Sequence, residues 1–290
     1  MLGLSLTPGC RCDDIHRVPS LSISPQNHDS LPRSCGIRAG TVCTAMSAAT
    51  QPLRARARPA TRDELAGIHW LAVLDDREER ARAEADILVV EVPTGELLCR
   101  VGRPATYWFG VVDGLLKMSS DSAYGVPITF TGVPSGGWFG EGTVIKREPY
   151  RYNIQALRRS VVAGLSVESF HWLLGRSIAF NGFIMRQLNE RLGQFIAARE
   201  IDRMSDPDVR VARSLAALFH PTLYPGVGEL LRITQQELGY LVGLSRQRVN
   251  EALSSLQQAQ VIRIEYGGVR VLDLTPAAIG PYCVQVMTES

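Results

Sequence analysis

The chain is 290 residues long, 45% hydrophobic and 21% charged, and carries a net charge of +2. This composition excludes a disordered or fibrous protein, and the lack of any apolar run of roughly 18 residues argues against a membrane-spanning helix and so against a membrane partner. Two domains are the natural division of such a length, while a charge so near neutrality means that nucleic-acid binding must be argued from local pattern.

Residues 1–60 are expected to be a disordered tail. Pro8, Pro19, Pro25, Pro32, Pro52 and Pro59 interrupt them among many Ser, Thr and Gly. Such a segment buries too little apolar surface to offset its chain entropy. Met46 opens a more ordinary stretch, so a start codon placed upstream of the real one would account for residues 1–45. Four of the six cysteines, Cys10, Cys12, Cys35 and Cys43, fall there. They follow no secretory pattern of basic flank and apolar run, which points to the cytoplasm and reduced thiols. A thiol redox or iron–sulfur protein is the remote alternative, but Cys10-x-Cys12 followed by a gap to Cys35 fits no usual cluster spacing.

The first helical signal is a capping box, Thr61 with Glu64, ahead of Leu65, Ile68, Leu71 and Leu74. Short strands are then predicted at 86–92, 96–101, 107–112, 115–118 and 127–131, separated by Gly, Pro, Asp and Ser. That spacing suggests a β-sandwich or barrel-like roll. A glycine-rich stretch at 136–142 contains Gly140 and Glu141, and Arg151 stands ten residues beyond Glu141. Glycines let backbone N–H groups approach an anion. A carboxylate accepts a hydrogen bond from a sugar hydroxyl, and an arginine forks onto phosphate. Together these residues could hold a ribose phosphate, although glycine-rich turns mostly just turn.

A long helix is predicted over 181–203, with Phe180, Ile184, Leu188, Leu192 and Phe195 recurring at three- and four-residue steps and Ile196 widening the stripe. The charges Arg186, Glu190, Arg191, Arg199 and Glu200 flank it. It reads either as a helix packed on its own domain or as a two-chain seam. Ser205-Asp206-Pro207 breaks the run, a candidate hinge, and restarts a helix with Val209, Val211, Leu215 and Leu218.

The most specific segment is 234–253. Thr234 and Glu237 form a capping box, Leu238 and Leu241 face inward, Gly243 supplies a turn, and Ser245 caps the next helix. Val249, Leu253 and Leu256 form that helix's buried face, leaving Arg246, Gln247 and Asn250 on the other. This is a helix-turn-helix that presents polar side chains to a major groove. Arginine pairs with guanine, and Gln or Asn with adenine. Residues 262–271 alternate around Gly267-Gly268 as a hairpin wing, whose Arg263 and Arg270 are placed to touch phosphate. The DNA-facing set is Thr234, Ser245, Arg246, Gln247, Arg248, Asn250, Arg263 and Arg270. No Ser/His/Asp or Cys/His constellation is present. His16, His28, His69, His171 and His220 lack metal-ligand spacing, so neither an enzyme nor a metal site is expected.

Over about residues 62–280 this order of parts resembles the Crp/Fnr family of bacterial transcription factors. Residues 107–114 resemble the family's strand leading into a V-x-G turn. Gly140 and Glu141 match its ribose-binding pair, and Arg151 its phosphate-binding arginine. In cAMP-binding members that arginine is followed by Ser or Thr and then Ala; here Tyr152 and Asn153 follow. The family's base contacts come from small hydroxyl residues on the long helix, near which this chain has Phe195 and Ile196. The resemblance implies an effector site of Gly140, Glu141, Arg151, Tyr152 and Phe195 for a cyclic nucleotide or cyclic dinucleotide. Three readings stay open: an empty pocket, a base stacked on Phe195, or a different ligand. In the recognition helix, Arg246 matches the arginine after the serine cap, Gln247 replaces a typical Glu, and Glu251 stands where Arg is usual, so the preferred half-site should differ.

The expected fold is α+β: a cNMP-binding-like β-roll over 61–178, a dimerisation helix over 179–204 and a winged helix-turn-helix over 205–290. The expected function is sequence-specific transcription regulation, with double-stranded DNA at a two-fold related site, a second copy of the chain and RNA polymerase as partners. The alternative is a DNA-binding regulator whose β-roll is only a scaffold.

Overall fold

Part of the expected tail belongs to the fold. The computed structural model describes residues 53–121, 127–201, 203 and 205–272. Within them α1 (Leu53–Arg56) leads to β1 (Arg58–Pro59), which pairs antiparallel with β2 (Leu88–Val92), Arg58 opposite Val89. The correction has a physical basis: Arg56 Nη1 donates to Glu96 at 3.1 Å, and Arg58 reaches Glu64 at 2.8 Å, so charge pairs and a ladder replace the apolar period that is missing. The tail expected over 1–52, with its four cysteines, lies outside the described residues. Cys99 is buried.

The capping box forms as expected: Glu64 N donates to Thr61 Oγ1 at 3.3 Å, and Thr61 N to Glu64 Oε2 at 2.8 Å. It opens only a short helix, α2 (Arg62–Ala66), which ends at Gly67. A 3-10 turn, His69–Val73, then buries Trp70 and Leu71. A helix that the apolar pattern did not reveal follows, α3 (Arg77–Asp86). Asp76 Oδ1 caps it, accepting from Glu78 N and Glu79 N. It takes Asp86 away from the strand expected to begin there.

Two antiparallel sheets form the roll. The first has the order β1-β2-β9-β4-β7, with β4 (Tyr107–Asp113), β7 (Trp138–Phe139) and β9 (Ser160–Ser166). The second has the order β3-β8-β5-β6, with β3 (Leu97–Cys99), β5 (Leu115–Asp121), β6 (Pro127–Pro134) and β8 (Asn153–Ala156). Alternation sorts the side chains of the first sheet onto two faces. Val90, Val92, Phe109, Val111 and Val162 meet Leu116, Met118, Val133 and Ile154 of the second sheet. Val89, Trp108, Ala163 and Leu165 point the other way, into a core with Trp70, Trp138, Phe170, Phe180 and Ile184. Each fully buried side chain of this size contributes about 1.5–3 kcal/mol.

Between β7 and β8 lies α4 (Glu141–Lys146). After β9 come α5 (Val167–Arg176) and the long α6 (Ile178–Ile201). The stripe expected along α6 divides into two faces. Phe180 and Ile184 are buried with the polar Gln187, Arg191 and Gln194, whereas Met185, Leu188, Leu192 and Ile196 are exposed.

Asp206 and Pro207 start α7 (Pro207–Leu218) as expected, Asp208 N donating to Asp206 Oδ1 at 2.8 Å. It packs with α8 (Gln235–Val242), α9 (Arg246–Gln258) and a three-stranded sheet of order β10-β12-β11. These strands are β10 (Leu230–Leu231), β11 (Ile262–Glu265) and β12 (Gly268–Val271). Their shared core includes Val211, Leu215, Leu238, Val249, Leu253 and Val269, and it also takes in Leu115 from the roll. Backbone touches backbone where the turn before β7 meets the loop after α7: a methyl group on Gly136 would stand 2.4 Å from Gly226 N.

Candidate effector pocket and nucleic-acid interface

A cavity of about 660 Å³ opens between the β5–β6 hairpin, α4 and α6. All five residues expected at an effector site, Gly140, Glu141, Arg151, Tyr152 and Phe195, line it. Its walls are mostly apolar, with Met118, Ile128, Phe130 and Leu188. Phe130 meets Phe195 edge to face, ring centres 6.4 Å apart.

The polar groups of the pocket are arranged differently from the expectation. Glu141 opens α4 with its carboxylate buried, Oε1 lying 3.5 Å from Arg191 Nε. Arg191 is buried too. It donates to the Trp138 carbonyl at 2.6 Å and to Tyr224 Oη at 3.1 Å. Tyr224 Oη in turn donates to the Gly132 carbonyl at 3.1 Å and accepts from Gln194 Nε2 at 3.1 Å. The sequence reading treated Arg191 as a flanking charge. The pattern along the helix does not show its role, because Tyr224 and Trp138 lie 33 and 53 residues away in the chain.

Arg151 points away. Its side chain is 78% exposed and donates to Glu148 at 3.0 Å. Tyr152 turns inward instead. Its hydroxyl lies beside Thr143 and 3.3 Å from where a methyl on Gly140 would stand, and burial pushes its phenol well above the ordinary tyrosine range. One oxygen of the Glu141 carboxylate thus faces Arg191, while the other, Oε2, is buried without a hydrogen-bond partner. An unpartnered buried acceptor on the first turn of α4 fits a sugar hydroxyl, and Arg151 lines the same cavity.

In the helix-turn-helix the local chemistry follows the sequence closely. Thr234 Oγ1 accepts from Glu237 N at 3.1 Å, and Glu237 Oε2 accepts from Thr234 N at 2.7 Å. Gly243 closes α8 with φ +69°, a left-handed conformation that glycine adopts without a Cβ penalty. Ser245 Oγ accepts from Arg248 N at 3.2 Å and starts α9. Val249, Leu253 and Leu256 are buried, while Arg246, Gln247 and Asn250 are exposed. Asn250 Oδ1 accepts from Gln235 Nε2 at 2.6 Å, and Gln247 Nε2 donates to Glu251 at 3.2 Å.

Two members of the expected DNA-facing set are engaged elsewhere. Arg248 donates to Asp208 of α7 at 2.6 Å and to Glu251 at 3.2 Å, because its place on α9 faces α7. Arg270 is shared between Glu229 at 2.8 Å and Glu265 at 2.6 Å. Arg263, opposite it in the ladder, is exposed. Among the described residues no cluster of His, Cys, Asp and Glu could hold a metal, and no helix is long and apolar enough to cross a membrane.

Comparison with known proteins matches both halves. The family model for the cyclic nucleotide-binding domain covers residues 89–177, and that for the Crp-like helix-turn-helix domain covers residues 209–275. The chain is 26% identical over 180 residues to the cAMP-activated global transcriptional regulator CRP of Haemophilus influenzae, covering 59% of this chain and 77% of that protein. To the protein of the same name from Pasteurella multocida it is 25% identical over 182 residues, covering 59% and 83%. Among solved structures it shares its fold with FixK2 from Bradyrhizobium japonicum, with a TM-score of 0.51 and 16% identity, covering 64% of this chain and 92% of that one.

Proposed function

Because this chain belongs to the Crp/Fnr family of DNA-binding transcription regulators, we propose that it acts as a cytoplasmic homodimer joined along α6 and reads a two-fold related DNA site with α9. The observation that carries this reading is the polar face at the start of α9. Arg246, Gln247 and Asn250 stand in solvent on a helix whose opposite face is core. Arg246 pairs with guanine, Gln247 and Asn250 with adenine, and Arg263 on the wing meets phosphate. RNA polymerase is the further partner that a promoter-bound regulator meets.

The exposed residues of α6 support the dimer. Met185, Leu188, Leu192 and Ile196 recur every three or four residues, and Leu192 and Ile196 are 59% and 57% exposed. A second α6 laid along this stripe would remove it from water and place the two recognition helices ~34 Å apart, one turn of DNA.

The cavity is the effector site of this reading. The relatives from Haemophilus influenzae and Pasteurella multocida are cAMP-activated, which makes a cyclic nucleotide the first ligand to consider here. Strand β6 connects ligand to DNA. Ile128, Thr129 and Phe130 line the cavity, and Thr129 Oγ1 also donates to the Tyr240 carbonyl of α8 at 3.2 Å. A ligand with different affinities for two positions of β6 shifts the helix-turn-helix between them.

Sedimentation of the full chain together with selection of bound DNA tests the reading. The expected result is a dimer that recovers a palindrome, and a Leu192→Glu, Ile196→Glu double variant that sediments as a monomer and loses the site. A wild-type monomer, or selection of no sequence at all, would refute it.

A further inference from the structure

Strands β11 and β12 meet at a two-residue turn, with Glu265 opposite Gly268. Gly267 takes the second place of the turn with φ +76°, and Tyr266 takes the first. Tyr266 is fully exposed at the tip of the wing. Ile264, two residues earlier, is 38% exposed and lies on the side of the wing that faces α9, where its N–H donates to Gln257 at 3.3 Å. Between the wing and the helix-turn-helix runs a cleft of about 490 Å³. Thr234, Gln235 and Gln236 at the start of α8 and Arg246 of α9 form one wall, and Ile264 and Glu265 form the other. Hydroxyl, amide and guanidinium groups of this kind are what proteins set against phosphate and sugar. The carboxylate of Glu265, next to the tip, would repel a phosphate, but Arg270 Nε donates to it at 2.6 Å and neutralises it.

The two grooves of a duplex are separated by a single sugar–phosphate backbone. With α9 in the major groove, the cleft is where that backbone lies, and the wing tip stands beyond it. We propose that Tyr266 enters the minor groove beside each half-site and packs its ring between the groove walls. Those walls are largely deoxyribose, apolar enough to cover an aromatic ring, and apolar side chains inserted from this side are a recurrent way of holding DNA. The minor groove also distinguishes A·T from G·C pairs, since only guanine places an amino group on its floor. That group takes the space of a ring lying in the groove, so Tyr266 favours A·T pairs at positions outside the reach of α9. Each half-site then has two parts: a centre read by Arg246, Gln247 and Asn250 through hydrogen bonds, and a flank read by Tyr266 through shape. This inference rests on the reading above that α9 enters the major groove, and adds what the wing recognises.

The test is selection of bound DNA with the full chain and with its Tyr266→Ala and Tyr266→Phe variants, followed by titration of the selected site. Wild type and Tyr266→Phe, which keeps the ring, should recover A·T pairs outside each central half-site. Tyr266→Ala should keep the centre, lose the flanks and bind the selected site about fivefold or more weakly, with an unchanged melting temperature because the side chain packs against nothing that holds the wing. Replacing the flanking A·T pairs by G·C should weaken wild-type binding. Replacing them by inosine·cytosine, which presents the same major groove as G·C but lacks the minor-groove amino group, should restore it. Flanks and affinity unchanged in Tyr266→Ala, or inosine·cytosine binding as weakly as G·C, would overturn the inference and leave the regulator standing. Recovery of no sequence by the wild type would overturn both.

Discussion

Glu141 and Arg191 face each other across 3.5 Å, the first on the roll and the second on the long helix, with side chains 4% and 8% exposed. Removing one partner of such a pair strands the other charge in a dry place, at a cost of about 3–5 kcal/mol. Arg191→Leu should therefore lower unfolding stability by about that amount in a urea titration. A combined Glu141→Leu, Arg191→Leu variant should recover much of the loss. A single variant as stable as the parent would show that the pair is not buried in solution.

Arg246 and Arg248 are two residues apart, yet they should behave differently. Arg246→Ala should weaken binding to the selected site by about 1–3 kcal/mol and relax preference at one base pair per half-site. Arg248→Ala should leave base preference alone, because Asp208 and Glu251 hold that side chain against α7. Selection repeated with each variant checks both; a changed consensus with Arg248→Ala would contradict the assignment.

Gly239 in the middle of α8 was not singled out by the sequence pattern, though it is as constrained as Gly243. A methyl on it would stand 2.8 Å from the Leu244 carbonyl in the turn. Gly239→Ala should push α8 and α9 apart, reducing stability by about 1–3 kcal/mol and DNA affinity with it. Thermal melting and a binding titration read the two effects, and a fully active, equally stable variant would contradict the close approach.

His220 makes two hydrogen bonds suited to its neutral form. Nε2 donates to Glu190 Oε2 at 3.1 Å, and Nδ1 accepts from Leu223 N at 3.3 Å. Burial lowers its pKa below the ordinary 6.5, the nearby carboxylate opposing the shift and Arg191 adding to it. In the unfolded chain the ring gains a proton as pH falls through about 6.5, while in the folded chain it stays neutral further down. This contribution to stability is therefore complete above about pH 6.5 and declines below it. Urea midpoints at pH 8 and 5.5 should differ more for the wild type than for His220→Gln; equal differences would remove His220 as the cause.

The parts legible in the sequence are those where local chemistry decides. Thr234 with Glu237, Gly243 and Ser245 specify a cap, a turn and a second cap over a dozen residues, and each has the geometry expected. The wing hairpin is read in the same way from alternation around Gly267-Gly268. Strands β8 and β9 gave little signal, since β9 (SVVAGLS) is buried on both faces and has no polar alternation. Helix α3 was hidden because its inward positions include Glu79 and Ala83 rather than large apolar residues. The pocket was legible as a list of residues but not as an arrangement. Nothing within the run Tyr150-Arg151-Tyr152 says that the arginine turns out to Glu148 and the tyrosine turns in.

The contact between Gly136 and Gly226 limits what the chain can carry at these two places. The approach is too close for a side chain on either side of the join: a methyl on Gly226 would in turn stand 2.9 Å from the Ser135 carbonyl and 3.0 Å from Gly136 N. Anything larger than hydrogen at either position would hold the turn before β7 and the loop after α7 apart. The seam between the roll and the DNA-reading half is thus kept closed, at this place, by two residues with no side chains of their own.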